Sequence, residues 1–136
     1  MAAPDVHPMT RDEIDGAYVL ARLGYRDLPL DSWREMADRA AGRVLVARDP
    51  EGRPAGLLIY TISPTLAGKP DLRVERLIAF GLLDPQTVAD ALIRAVMTLA
   101  ARESCASFSL ATPLDAPESA AALVLASPVS TLHQVI

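Results

Sequence analysis

The chain of 136 residues contains a single cysteine, Cys105, so no internal disulfide can form, as expected of a reducing compartment. Among its 13 basic residues only Lys69 is a lysine, and the arginines do not cluster. With a formal net charge of -4, this distribution excludes a surface built to neutralise phosphates, and no nucleic-acid partner is expected. The preference for arginine, beside abundant alanine and proline, points to a GC-rich bacterial genome rather than to a ligand. His7 and His133 stand at opposite ends with no second cysteine to join them, so no metal site is expected. No apolar run approaches the ~18 uncharged residues of a membrane span. The N-terminal stretch MAAPDVHPMTRDE lacks the basic-then-apolar order of a secretion signal. The expected compartment is therefore the cytoplasm, with no membrane partner. The chain also has no G-x-S-x-G elbow, no Walker lysine and no G-x-G pair, which argues against hydrolase, nucleoside-triphosphatase and Rossmann chemistry.

What is present is 51% hydrophobic and 22% charged, the balance of one globular domain spanning residues 1–136. Its organising stretch is Asp71 to Arg102, an alternating strand, a tight Gly-Leu-Leu-Asp-Pro turn and a long apolar helix. In the strand, Leu72, Val74, Ile78 and Phe80 fall on one face with Arg76 intruding, and Arg73, Glu75, Leu77 and Ala79 fall on the other. In the helix, Asp90, Arg94 and Thr98 step by four along a narrow polar stripe.

Two helices are expected before any firm strand. Thr10-Arg11-Asp12-Glu13 has the form of a capping box, with Gly24 as a left-handed stop. Ser32 to Glu35 repeats the signal before a helix that buries Trp33 and ends at Gly42. Residues 5–9 offer only a poor edge strand because of His7-Pro8. Arg43 to Arg48 and Ala55 to Ile62 flank a turn rich in Asp, Pro and Gly and predict an antiparallel hairpin. Ser63 to Pro70 is a loop. Past the long helix, Ser107 to Thr112 predicts a strand parallel to the central one. Asp115 and Glu118 cap a short apolar helix reaching Ala126, and Ser130 to Ile136 closes the chain as a strand.

This order of elements, with Leu23-Gly24-Tyr25 before a Trp33-bearing helix and the hairpin VLVARDPEGRPAGLLIY, resembles a GCN5-related N-acetyltransferase (GNAT) domain over about residues 10 to 126. The resemblance implies a single α/β domain with a mixed, largely antiparallel sheet flanked by helices. It implies an acyl-CoA-dependent N-acyltransferase, with acetyl-CoA as the acyl donor and a small-molecule or peptide amine as acceptor. The pantetheine would pair with Leu77, Ile78, Ala79, Phe80 and Gly81, with Ser107 to Thr112 as the opposite wall, and Gln86 and Thr87 would lie at the phosphate end. Glu75, in mid-strand, would be the base that deprotonates the amine.

The phosphate loop departs from the family's pattern. Gly81-Leu82-Leu83-Asp84-Pro85-Gln86 has one glycine, no basic residue, a proline without an N–H, and Asp84 as the natural N-cap where phosphate would sit. The alternative is therefore a non-catalytic GNAT-like binding or dimerisation module that has lost the cofactor loop. Glu75 has a plain competing role as an ion-pair partner of Arg73, Arg76 or Arg48. Arg76 would snorkel, meet an anionic substrate or, more simply, pair with an acidic helix residue, Cys105 would be a buried thiol, and Trp33 and Tyr25 would be core anchors. A homodimer is expected because the long helix and residues 118–126 look more apolar than one chain of this length can cover.

Overall fold

Glu13 ties the first three segments of the chain together. In the computed structural model, which describes residues 4–39, 43–66, 68–80, 84–105, 107–111, 122–126 and 131–135, strand β1 (Asp5–Pro8) leads through a 3₁₀ turn (Arg11–Glu13) into helix α1 (Ile14–Gly24). The buried Glu13 carboxylate accepts from Thr10 N at 2.9 Å, from Thr10 Oγ1 at 3.0 Å and from His7 Nε2 at 2.9 Å. It also accepts from Arg48 Nε at 2.7 Å. The capping box is thus present, and the same carboxylate anchors β1, which pairs antiparallel with strand β2 (Val44–Arg48) despite its proline.

Helix α2 (Leu30–Arg39) begins two residues before the expected Ser32, behind Pro29, whose carbonyl accepts from Trp33 N at 3.0 Å. Trp33 is fully buried and its indole N–H donates to Ile14 O at 2.7 Å, fastening α2 to α1. Gly24 does not take the left-handed conformation expected of it. It is small because a Cβ there would come within 2.8 Å of Ile78 Cδ1, so the end of α1 rests directly on the sheet. The end of α2 expected at Gly42 lies outside the described residues.

The hairpin forms as expected, β2 against β3 (Pro54–Ser63), antiparallel. Its turn is closed by Asp49, whose Oδ1 accepts from the backbone N–H of Glu51 and Arg53 at 2.9 Å, while Gly52 supplies φ +84°. Strand β4 (Asp71–Phe80) pairs antiparallel with β3. Helix α3 (Pro85–Arg102) follows, then β5 (Ser107–Ala111), β6 (Ala122–Ala126) and β7 (Thr131–Val135). The strand order is β1-β2-β3-β4-β5-β7, with β6 attached to β4. Only β4–β5 is parallel among these pairings, so the sheet is mixed and largely antiparallel.

Two cores lie on its faces. Leu58, Tyr60, Leu72, Val74, Leu77 and Ala79 pack with Val88, Ala89, Leu92, Val96 and Ala100 of α3. Ala17, Leu20, Ala21 and Trp33 of α1 and α2 pack with Val44, Val46, Leu57 and Ile59. Gly56 lets α3 approach closely, since a Cβ there would lie 2.7 Å from Val88 Cγ1. Helix α3 stops at Ser104, which takes φ +57° so that Cys105 N reaches Ala100 O at 2.9 Å and Ser104 N reaches Ala101 O at 3.1 Å, a Schellman stop that tucks Cys105 into the core.

Three expectations change. The faces of β4 are not those of a plain alternation: opposite β3, Tyr60 pairs with Val74 and Ile59 with Arg76, leaving Glu75 as an extra residue. This bulge moves Leu72 and Val74 onto the face of Leu77 and Ala79, and away from Ile78 and Phe80, the latter 36% exposed. Residues 122–126, expected as the end of a helix, form a strand instead, because the open edge of β4 offers backbone partners that override the helical propensity of the alanines and leucines. The caps at Asp115 and Glu118 lie outside the described residues. Finally, the exposed side of α3 includes Gln86, Thr87, Asp90, Arg94, Met97 and Thr98, a wider polar face than expected. Both grounds for self-association are thereby changed.

Burial pushes the Glu13 carboxyl up, but the Thr10 backbone N–H, His7, Arg48 and the Thr10 hydroxyl outweigh it and lower its pKa from 4.5 to about 2. Its folded value lies below its unfolded one, so its contribution is complete above pH 4.5 and is lost as pH falls through about 2. Urea midpoints measured across that window should show a loss on the order of 3 kcal/mol. Glu13→Gln should be less stable at pH 7 and should lack most of that slope; an unchanged slope would contradict the role given to Glu13.

Candidate functional site

The bulge lies where the outer edge of β4 changes partner. On that edge Asp71, Leu72 and Arg73 pair parallel with Ser107, Phe108 and Ser109. Arg76 to Phe80 pair antiparallel with Ala126 to Ala122. Beyond Arg73, β5 no longer pairs with β4, while its full length pairs with β7. Glu75 stands at this junction, between the two pairings. A bulge adds twist and bends its strand, which accounts for the divergence of β4 from β5.

Glu75 is half-buried, on the α1 side of the sheet, and its Oε1 accepts from Thr61 Oγ1 of β3 at 3.1 Å. Arg48, a candidate ion-pair partner, is instead committed to Glu13. Arg76, on the same face, does not meet an acidic helix residue: its guanidinium lies over the Tyr25 ring, 4.2 Å from the centroid. Its Nε is buried with no hydrogen-bond partner. A carboxylate held by a hydroxyl, beside a cation fixed over an aromatic ring, is a group able to take a proton from an amine brought into the split. Thr61 was not foreseen. It meets Glu75 only through the β3–β4 pairing and its bulge, which no local motif in the sequence announces.

The proposed pantetheine edge divides into described and undescribed parts. Leu77, Ile78 and Ala79 are fully buried, Phe80 is partly exposed, and the outer backbone of all four is paired to β6. Gly81 lies outside the described residues. At the start of α3, Asp84 is the N-cap as read from the sequence: its Oδ1 accepts from Gln86 N at 3.0 Å and its Oδ2 from Thr87 Oγ1 at 2.7 Å. The Gln86 side chain turns to Asp90 at 2.9 Å. The helix end that would draw a phosphate is therefore occupied by a carboxylate, with Pro85 contributing no donor.

Elsewhere the chemistry is structural. Cys105 is buried, and burial, with Glu103 and Asp71 nearby, pushes its thiol up, away from nucleophilic form. A hollow of about 650 Å³ between the 3₁₀ turn, α1 and α2 is lined by Arg11, Asp12, Asp15, Arg34, Glu35 and Asp38. Across it Arg34 grips Asp15 at 2.9 and 2.8 Å and Arg11 meets Asp38 at 3.6 Å. Among the described residues no group of His, Cys, Asp and Glu is placed to hold a metal, and no helix is long and apolar enough to cross a membrane.

No family model matches the sequence, and no characterised protein matches it by sequence. Solved structures do match in three dimensions. A ribosomal-protein-alanine N-acetyltransferase from Brucella melitensis biovar Abortus 2308 superposes with a TM-score of 0.66 at 22% identity, covering 76% of this chain and 77% of that one. The aminoglycoside N-acetyltransferase AAC(6')-Iy, in complex with CoA, gives 0.67 at 17% identity, over 77% and 74%. An acetyltransferase of Trypanosoma brucei gives 0.62 at 18% identity, over 85% and 84%. At these identities the likeness is one of architecture, and by it the chain has the fold of the GCN5-related N-acetyltransferases.

Proposed function

We propose that this chain is an acyl-CoA-dependent N-acyltransferase that moves an acetyl group to the amine of a small molecule or peptide. The observation that supports this reading is the parting of β4 from β5 beside Glu75, where β4 exchanges β5 for β6 as its outer partner. In this reading Glu75 takes the amine proton and Thr61 orients it. The backbone of Leu77, Ile78, Ala79, Phe80 and Gly81 meets the pantetheine, and Gln86 and Thr87 lie near the phosphates. CoA in the aminoglycoside enzyme of the same fold supports acyl-CoA as the donor. Such an enzyme would work in the cytoplasm, where CoA thioesters are held. For a homodimer, the support is the exposed Val19 and Leu23 on α1.

A second reading, a non-catalytic binding or dimerisation module, is favoured by one observation, the Asp84 carboxylate seated at the end of α3. Melting temperature measured against acetyl-CoA separates the two, since a ligand that binds only the folded state must raise it. At ~5 Å and an effective dielectric of ~20, one like charge opposes a phosphate by about 3 kcal/mol. Asp84 is exposed, and screening brings the expected penalty nearer tenfold in affinity. The wild-type protein should therefore show a small shift. Asp84→Asn, which keeps an N-cap acceptor and removes the charge, should bind about tenfold tighter. No shift in either protein would favour the module.

For the chemistry, Glu75→Gln should lower the rate of CoA thiol release from acetyl-CoA, assayed over a panel of primary amines and peptides, by a hundredfold or more. Its melting temperature should stay near that of the wild type. A variant that retains the full rate would remove Glu75 from the mechanism.

A further inference from the structure

We infer that β6 is an internal competitor for the acyl-CoA slot, a strand of the chain's own that occupies the pantetheine edge and must leave before a cofactor can enter. The inference rests on the acyl-CoA reading above and adds a regulatory step to it. Its basis is backbone pairing. The inner edge of β4 is taken by β3, Gly56 opposite Ala79 through Ile59 opposite Arg76. The outer edge of the same residues is taken by β6, Ala122 opposite Phe80, Leu123 opposite Ala79, Val124 opposite Ile78, Leu125 opposite Leu77 and Ala126 opposite Arg76. A strand edge offers one row of N–H and C=O groups and holds one extended partner at a time. Pantetheine, an extended chain with spaced amides, would need that row.

Three features suit β6 to the place. Its sequence, Ala-Leu-Val-Leu-Ala, carries no charge, proline or glycine, and so nothing that opposes burial or strand pairing. It starts its ladder at Arg76, just past the bulge and the end of the β5 pairing, filling the split and not extending the sheet. Helices α1 and α3, on opposite faces of the sheet, both approach it. Because β6 is tethered to the chain, its effective concentration at the edge is of millimolar order. Any cofactor affinity is then reduced by the fraction of molecules in which the edge is free.

The test weakens or locks β6 and reads ligand affinity directly. Leu123→Pro with Val124→Pro removes two adjacent N–H groups, and since alternate amides face a given neighbour, one of them faces β4. Calorimetric titration with acetyl-CoA, and with phosphate-free pantetheine, should show both binding at least tenfold tighter than to the wild type. In a second variant, Phe80→Cys with Ala122→Cys, a disulfide across one register pair pins the strand. The oxidised form should bind acetyl-CoA at least tenfold more weakly than the reduced form, and this comparison decides alone if the proline variant does not fold. Measurable acetyl-CoA binding that is equal in all forms would overturn the competitor and leave the acyl-CoA reading standing. No binding of either ligand by any folded form would overturn the acyl-CoA reading and the competitor with it.

Discussion

One extra residue in one strand, Glu75, sets the terms for the rest of the molecule. Without it, the alternation of β4 would put Leu72 and Val74 on the opposite face from Leu77 and Ala79. Because the bulge adds one position, all four face α3 and are buried there. Burying an aliphatic side chain of this size is worth about 1.5–3 kcal/mol, so a register without the bulge would forfeit several such contributions and drive Arg76 against the α3 core. The same insertion leaves Glu75 and Arg76 on the α1 side, where Thr61 and Tyr25 receive them. Core packing and the placing of the candidate base are thus consequences of a single register shift.

The charges of the chain are largely spent on fastening it. Glu13 joins the start of α1 to the neighbouring β1 and to Arg48 of the distant β2, and it is kept ionised because several donors converge on it. Asp84 starts the longest helix. Both are good solutions for stability, and Asp84 opposes an anionic ligand at the place where the fold would hold one. Together with β6 in the split, it describes a GNAT fold in which two features that stabilise the chain stand, in the proposed reading, against an acyl-CoA.

Features set by local chemistry could be read from the sequence. The Thr10–Glu13 capping box, the Asp49–Gly52 turn, the Asp84 N-cap ahead of Pro85 and the limits of β4 each depend on residues a few positions apart. Features set by pairing between distant segments were hidden. The convergence of His7 and Arg48 on Glu13 needs β1 and β2 to be neighbours first. The strand at 122–126 exists because β4 has an edge to offer, and an aliphatic run of that length has no period of its own to separate helix from strand. The bulge left no clear trace, because Leu77, Ile78 and Ala79 are all apolar and all buried, so either phase would fit the sequence past the charges Glu75 and Arg76.

Backbone nuclear Overhauser contacts between β3 and β4 test the register on which all of this depends. The account predicts that Tyr60 lies opposite Val74 and Ile59 opposite Arg76, with the Glu75 backbone facing no single partner on β3. An unbroken ladder, with Tyr60 opposite Glu75 and each later pair displaced by one, would contradict it and remove the physical basis for both the core and the candidate site.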